Sequence, residues 1–460
     1  MTLIKSISGI RGTIGGHTGD NLTPIDIVKF ASAYGQWVKA QSTADRYKVV
    51  VGRDARLSGP MVQALVMNTL VGLGIEVIDL GLSTTPTVEM AVPMEKAQGG
   101  IIITASHNPK QWNALKLLNH EGEFLDAAEG ERILELAEST DLQYAEIDDL
   151  GQLISEPDYI EKHIDKILSL SWVDADKIRA KQFKVVVDAV NSTGGIAIPK
   201  LLRRLGVETV ELYCEPNGQF PHNPEPLAKN LTAVCQKVVE EKADLGIVVD
   251  PDVDRLAFID ETGTMFGEEY TLVAVADYLL GKQVGNTVSN LSSSRALRDV
   301  TEKHGGSYQA SAVGEVNVVK LMKETNALIG GEGNGGIIFP ELHYGRDSLV
   351  GSALFLTHLA EKDKSVSALR AEYLAYFMAK NKIQLTPDMD VDGILEQMKT
   401  NYASEEILTV DGVKIDFPEN WVHLRKSNTE PIIRIYTEAK SQEEADALGE
   451  RFIDEIKALF

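Results

Sequence analysis

An α/β fold of repeated units is predicted by three observations: a strand pattern that recurs three times, helical periodicity between the recurring runs, and a final stretch with a different pattern. The first run of each repeat reads KVVVGRD at 48–54, KVVVDAV at 184–190 and TVSNLSSSR at 287–295. The second reads LGIEVIDLG at 73–81, LGVETVELY at 205–213 and GGSYQASAVG at 305–314. The third reads GGIIITASHNP at 99–109, ADLGIVVDPDVD at 243–254 and NALIGGEGNGG at 326–336. Helical segments such as the one from Pro60 to Leu70 lie between them, and strands alternating with helices imply layers with mainly parallel pairing. The expected architecture is three similar α/β domains with mixed, mainly parallel sheets plus a C-terminal α+β domain around a central cleft. The boundaries fall at 1–157, 158–257, 258–372 and 373–460.

The last domain is read from strands over 411–417, 420–425 and 432–437, then an amphipathic helix from Gln442 to Leu459. Ala445, Leu448, Phe452, Ile456 and Leu459 recur on that helix at spacings of three and four. A length of 460 residues suits about three to four domains.

Composition narrows the function classes. Hydrophobic residues make up 43% and charged residues 25%, as in a globular protein in water. A formal net charge of −23 argues against nucleic acid or an anionic membrane as partner. It also means that an anionic substrate needs its own local cluster of Arg and Lys. Cys214 and Cys235 are too few for a disulfide framework and read as reduced core thiols. The N-terminus lacks a secretory apolar stretch and no run reaches bilayer-spanning length, so a cytoplasmic protein is expected, as monomer or homodimer.

Four loops carry chemistry, three of them at the ends of third-run strands, where α/β sheets bind ligands. The first is Thr104-Ala105-Ser106-His107-Asn108-Pro109. It exposes a serine in a turn set by Asn-Pro, without the G-x-S-x-G of a hydrolase. His107, next in sequence, is expected to point elsewhere and to be a poor base for Ser106. A serine that carries phosphate fits, because phosphoryl transfer needs mainly position and charge neutralisation; alone, such a loop is more often an ordinary turn. The second is Asp250-Pro251-Asp252-Val253-Asp254-Arg255 after an apolar strand. Carboxylates at every second position face one side, and hard oxygens at this density suit Mg²⁺. A calcium loop is rejected because Arg255 stands where glycine is required. A haloacid-dehalogenase-type phosphatase, with Asp250 phosphorylated, is a rival, although that motif usually opens its domain. A solvated acidic turn is the plain alternative. The third loop, Gly330 to Gly336, places Glu332 and Asn334 among glycines, where backbone can approach a ligand. The fourth runs from Arg425 to Pro431, with Arg434 on the next strand, and has the makings of an oxyanion cradle.

Together and in this order, the four motifs resemble the α-D-phosphohexomutase superfamily, closest to archaeal-type phosphoglucosamine mutase and phosphomannomutase/phosphoglucomutase. The resemblance runs from Ser8-Gly9-Ile10-Arg11-Gly12 to the 425–431 loop. It implies four domains, bearing in turn the phosphoserine, metal, sugar and phosphate loops. Ser106 is then the phosphoserine, and Asp250, Asp252 and Asp254 hold Mg²⁺ together with an oxygen on Ser106. Arg11 lies near the transferring phosphate, Lys116 is the acid/base residue, and His107 joins the catalytic set. Arg255 adds positive charge. Glu332 and Asn334 meet the sugar, while Arg425, Ser427, Asn428, Thr429 and Arg434 hold the idle phosphate. Arg53, Asp54 and Ser58 support the site from behind. Many relatives carry a histidine where this chain has Gly336. The implied substrate is a hexose phosphate, with a hexose bisphosphate as activator. Glucosamine 6-phosphate is the first expectation, from the T-E-P string at 429–431 and the GEGNGG loop; mannose or glucose phosphate is the second. A non-catalytic sugar-phosphate sensor is the alternative from another class.

Overall fold

The structure is a computed structural model that describes residues 2–6, 9–44, 46–139, 141–385, 390–427 and 432–459. The chain forms two compact units, each discontinuous in sequence: Met1–Thr271 with Asn334–Leu369, and Leu272–Gly333 with Arg370–Phe460.

In the first unit, the strands of the first two repeats take the same arrangement. Tyr47–Arg53, the first run, lies centrally, with Ile75–Leu82 and Gly99–Ile103 parallel on either side. Lys184–Asp188 likewise lies between Glu208–Leu212 and Leu245–Val249, again all parallel. In both sheets the third run also pairs with an antiparallel strand that follows its loaded loop: Trp112–Leu118 in one, Leu256–Asp260 in the other. The first sheet grows to seven strands by adding Ile4–Ser6 and Gly9–Thr13 at one edge and Leu153–Ser155 at the other. The third-run strands Gly99–Ile103 and Leu245–Val249 are buried along their whole length. That is why they read as unbroken apolar runs rather than alternating ones.

The helix Ser348–Lys362 is buried from Ser348 to Ala360 and packs on the helices Tyr159–Ser169, Ala175–Lys181 and Gly194–Leu205. Its sequence, apolar on nearly every side, suits a helix surrounded by others. Asp347 caps it, accepting from the N–H groups of Leu349 and Val350.

The second unit holds the third repeat, with Asn286–Asn290 between Tyr308–Ser311 and Ala327–Glu332, all parallel. It also holds an antiparallel sheet in the order Phe377–Gln384, Ile432–Ala439, Trp421–Lys426, Val413–Asp416, Glu406–Leu408. Val391–Asn401 and Gln442–Lys457 bury Ile394, Leu395, Met398, Phe452 and Ile456 in its core. The three expected strands lie within two residues of their predicted ends, Ile432–Ala439 running two residues further, and the last helix stops at Lys457 rather than Leu459. Phe377–Gln384 was not foreseen: as an edge strand it carries Lys380, Asn381, Lys382 and Gln384 instead of an apolar pattern. Among the described residues no helix is long and apolar enough to cross a membrane.

Candidate active site

The Ser106 turn is shaped by one fully buried arginine. Arg56 Nε donates to Asp54 Oδ2 at 3.0 Å. Its Nη1 donates to the carbonyls of Pro109 (2.8 Å) and Trp112 (3.0 Å), and its Nη2 to those of Ser106 and Asn108. Asp54 also accepts from Thr104 Oγ1 at 2.7 Å, and Thr104 Oγ1 accepts from the Ser106 N–H at 2.9 Å. These bonds hold Ser106 at φ +45°, in the left-handed region that a non-glycine residue rarely occupies. The loop is thereby built to present one hydroxyl. Of the expected supports, Asp54 is the centre of this network, Ser58 accepts from Asn113 Nδ2 at 2.8 Å, and Arg53 bonds Gln63 at 2.9 Å.

Ser106 Oγ donates to Asp250 Oδ2 at 2.7 Å. The other Asp250 oxygen accepts from the backbone N–H groups of Asp254 and Arg255, both at 3.2 Å, which closes the acidic loop. Val253 at the tip takes φ +67°, an unusual conformation for a β-branched residue. Asp252 Oδ2 accepts from Thr85 Oγ1 and Lys116 Nζ, both at 2.6 Å. Asp254 Oδ2 accepts from Arg346 Nη2 at 2.6 Å and from Lys116 Nζ at 3.3 Å. The remaining oxygens, Asp252 Oδ1 and Asp254 Oδ1, are buried with no hydrogen-bond partner among the described residues. Buried bare carboxylate oxygens are costly. Ligand atoms of the three aspartates lie within 4.8 Å of one another, so an all-oxygen donor set is assembled that could hold a hard divalent cation.

The electrostatics follow from that crowding. Burial, and then the charges of Asp252 and Asp254, push Asp250 well above the usual carboxylate range. Burial opposes ionisation of Asp252 too, but the charge of Lys116, then hydrogen bonding with Asp250, Lys116 and Thr85, prevail and hold it below that range. Lys116 is raised: burial disfavours its charge, and Asp252 and Asp254 outweigh burial.

Arg11 pairs with Ala114 across neighbouring antiparallel strands, and Lys116 lies two residues beyond Ala114. Arg11 and Lys116 therefore share one face of the sheet. Arg255 Nη1 reaches Glu225 Oε1 at 3.3 Å. His107 corrects an expectation: it does not point away, and its Nδ1 lies 3.4 Å from Ser106 Oγ. Burial, helped by Arg255, brings this imidazole down to about 3, so it is neutral.

In the second unit, Glu332 ends its strand and accepts from Asn290 Nδ2 at 2.9 Å. Arg425 and Arg434 sit directly opposite each other on neighbouring strands. Facing like charges cost stability, and this pair is the arrangement an anion would relieve. Burial lowers Arg425, and the nearby Arg434 adds to the effect. The Ser427 N–H donates to the Ile432 carbonyl at 3.0 Å. Asn428 and Thr429 lie outside the described residues. Asn334 belongs to the first unit, where its Oδ1 accepts from the Gly336 N–H at 3.2 Å.

Comparison with known proteins decides the family. Models of the α/β/α domains I, II and III of phosphoglucomutase/phosphomannomutase match residues 3–144, 161–263 and 267–377, and the model of the C-terminal domain matches 378–455. The chain belongs to the phosphoglucomutase/phosphomannomutase family. It is 36% identical to a phosphoglucomutase/phosphomannomutase of Thermococcus kodakarensis over 95% of this chain and 94% of that one. It is 32% identical to a probable phosphoglucosamine mutase of Methanopyrus kandleri over 98% and 97% of the two chains. Among solved structures, a phosphoglucomutase/phosphomannomutase family protein of Burkholderia thailandensis superposes with a TM-score of 0.85 at 25% identity, covering 99% and 98%. The chain is thus an enzyme of the phosphohexomutase superfamily, an intramolecular phosphotransferase.

Three contributors to this candidate site were not foreseen. Arg56 shapes the serine turn, Thr85 supports Asp252, and Arg346 holds Asp254. Thr85 and Arg346 come from segments far in sequence from the loops they serve, where no local pattern marks them. Arg56 stood in view beside Asp54 in a string with several polar residues. A second cluster was also unforeseen. Asp347 Oδ2 accepts from His163 Nε2 at 2.9 Å and lies 3.4 Å from His343 Nε2, while Thr87 Oγ1 lies 3.0 Å from His163 Nδ1.

Proposed function

We propose that this enzyme interconverts hexose 6-phosphate and hexose 1-phosphate through a phosphorylated Ser106, with glucosamine 6-phosphate to glucosamine 1-phosphate as the preferred reaction. The observation that carries the reading is Ser106 Oγ bonded to Asp250 at 2.7 Å, beside two bare carboxylate oxygens and a charged Lys116. Phosphoryl transfer needs this: a fixed oxygen and charge neutralisation around it. Asp250, Asp252 and Asp254 would hold Mg²⁺, which when bound neutralises charge on the phosphate oxygens.

In the forward step, a sugar hydroxyl oxygen forms a bond to the Ser106-borne phosphorus, and the bond from phosphorus to Ser106 Oγ breaks. The hydroxyl proton leaves and a proton returns to Ser106 Oγ. Lys116 Nζ, held by Asp252 and Asp254, is the group proposed to carry it. Arg11 and Arg255 offset the charge of the transferred group. The bisphosphorylated sugar then turns round, and its other phosphate passes to Ser106 in the reverse sense. Arg425 and Arg434 are proposed to grip the idle phosphate, and Glu332 and Asn334 the sugar hydroxyls. The matching hexose bisphosphate would serve as activator by phosphorylating Ser106.

Glu332 could accept from a protonated 2-amino group, and the Methanopyrus kandleri relative is named a probable phosphoglucosamine mutase. The Thermococcus kodakarensis relative favours phosphomannomutase/phosphoglucomutase activity as the second reading. The test is kcat/KM for glucosamine, glucose and mannose phosphates measured side by side with the matching bisphosphate. Glucosamine phosphate is expected to lead. A tenfold lead by another sugar, about 1.4 kcal/mol in transition-state binding, would overturn the choice of sugar and leave the mutase chemistry standing.

A further inference from the structure

We propose that Arg346 is a positioning residue for the cation-binding carboxylates, and that it reaches them only because residue 336 is glycine. The inference rests on reading Asp250, Asp252 and Asp254 as a cation site, and extends it to a residue outside the four loops. Arg346 Nη2 donates to Asp254 Oδ2 at 2.6 Å. That bond fixes one carboxylate oxygen and leaves the buried Oδ1 bare. A carboxylate held in this way offers a single oriented oxygen, which is how outer-shell partners tune metal ligands.

The path of the arginine is set by its surroundings. Its backbone bridges Ile338 in antiparallel fashion. The Asp347 N–H donates to the Ile337 carbonyl at 2.8 Å, and the Ser348 N–H to the Val253 carbonyl, at the tip of the acidic loop, at 3.2 Å. The Leu256 N–H in turn donates to the Gly335 carbonyl at 3.2 Å. The segment that follows Arg346 and the glycine turn before Gly336 are thus tied to the tip and to the C-terminal end of the acidic loop. Asp347 is anchored by His163 and by the two N–H groups that it caps. From this fixed start the side chain runs past residue 336. A Cβ added at Gly336 would lie 2.3 Å from Arg346 Cδ and 3.0 Å from its Cγ. Real Cβ contacts are not that short, so any side chain at 336 and this course of Arg346 exclude each other. Gly336 is not in the left-handed region, so alanine there is acceptable to the backbone. The main obstacle is the arginine, with Asn334 Oδ1 next at 3.1 Å.

The charge balance gives the reason for a guanidinium. Three carboxylates and a phosphate dianion would crowd the site. Lys116 is shared between Asp252 and Asp254 and lies 3.3 Å from the latter, so Arg346 supplies Asp254 with its closer cation. It does so with a fixed planar donor that lysine cannot reproduce.

The test measures Mn²⁺ binding to the full-length enzyme by titration calorimetry, with no sugar present. Arg346→Ala and Gly336→Ala are each expected to weaken Mn²⁺ by roughly 10–100-fold, and Arg346→Lys by less. The double variant should bind no more weakly than Arg346→Ala alone, because the glycine matters only through the arginine. Thermal unfolding of the metal-free variants checks that each is folded; should Arg346→Ala not fold, Arg346→Lys and Gly336→Ala carry the comparison. Unchanged Mn²⁺ affinity in the folded variants would overturn the proposal, as would losses that add fully in the double variant. A wild type that binds no Mn²⁺ would overturn the underlying cation-site reading as well, a result distinct from either.

Discussion

Ser106 and Val253 hold backbone conformations that cost of order 1–3 kcal/mol each for residues of their type. Both are retained because neighbours over-determine them: Arg56 holds the Ser106 carbonyl, and the Val253 N–H and carbonyl bond Asp250 and Ser348. The loops were legible in the sequence as strings of chemistry-bearing residues. Their partners Arg56, Thr85 and Arg346 were not, because hydrogen bonds across 50 to 167 positions leave no local trace. His423 gives a residue-scale prediction in the second unit. Its Nε2 is 2.6 Å from the Asp411 carbonyl, to which it must donate, so its Nδ1 accepts from Ser292 Oγ at 2.9 Å. Burial, with Lys414 and Arg425 nearby, pushes it down to about 4. A neutral buried histidine stabilises the fold above its unfolded value near 6.5. That contribution is lost as pH falls from 6.5 towards 4, because the unfolded chain binds the extra proton. The loss amounts to about 3 kcal/mol in full. Urea unfolding of His423→Gln should show a shallower acid slope than wild type between pH 6.5 and 4, and equal slopes would contradict the assignment.

At the scale of elements, the repeat was legible because the third-run strands Gly99–Ile103 and Leu245–Val249 are buried along their whole length and so are apolar or small throughout, and each then ends in a polar loop at the carboxyl end of its sheet. The edge strand Phe377–Gln384 was not, since half-exposed edges carry polar residues. The Ser106 turn is an element made by one ion pair rather than by propensity, and this can be tested. Asp54 and Arg56 are both fully buried. Arg56→Met would leave Asp54 uncompensated and four carbonyls without their donor, a cost of roughly 3–5 kcal/mol. Arg56→Lys would restore charge but not the planar fork, and should recover only part of it. Denaturant midpoints should order as wild type, then Lys, then Met. A Met variant as stable as wild type would show that the turn stands without the arginine.

At the scale of the whole molecule, a chain of net charge −23 must bind anions against its own field. It gathers Arg11, Lys116, Arg255 and Arg346 in one unit, and Arg425 opposite Arg434 in the other. The family was legible from the order of four motifs along the chain; the sugar was not, because the proposed sugar contacts, a carboxylate at Glu332 and an amide at Asn334, suit the hydroxyls of any hexose. The central claim concerns which atom carries the phosphate, Ser106 Oγ or an Asp250 carboxylate oxygen 2.7 Å away. The most direct measurement is mass-spectrometric mapping of enzyme treated with hexose bisphosphate. Phosphate is expected on the tryptic peptide 97–110, at Ser106, and absent from Ser106→Ala together with nearly all turnover. Phosphate on peptide 243–255 at Asp250, or full turnover by Ser106→Ala, would contradict the account.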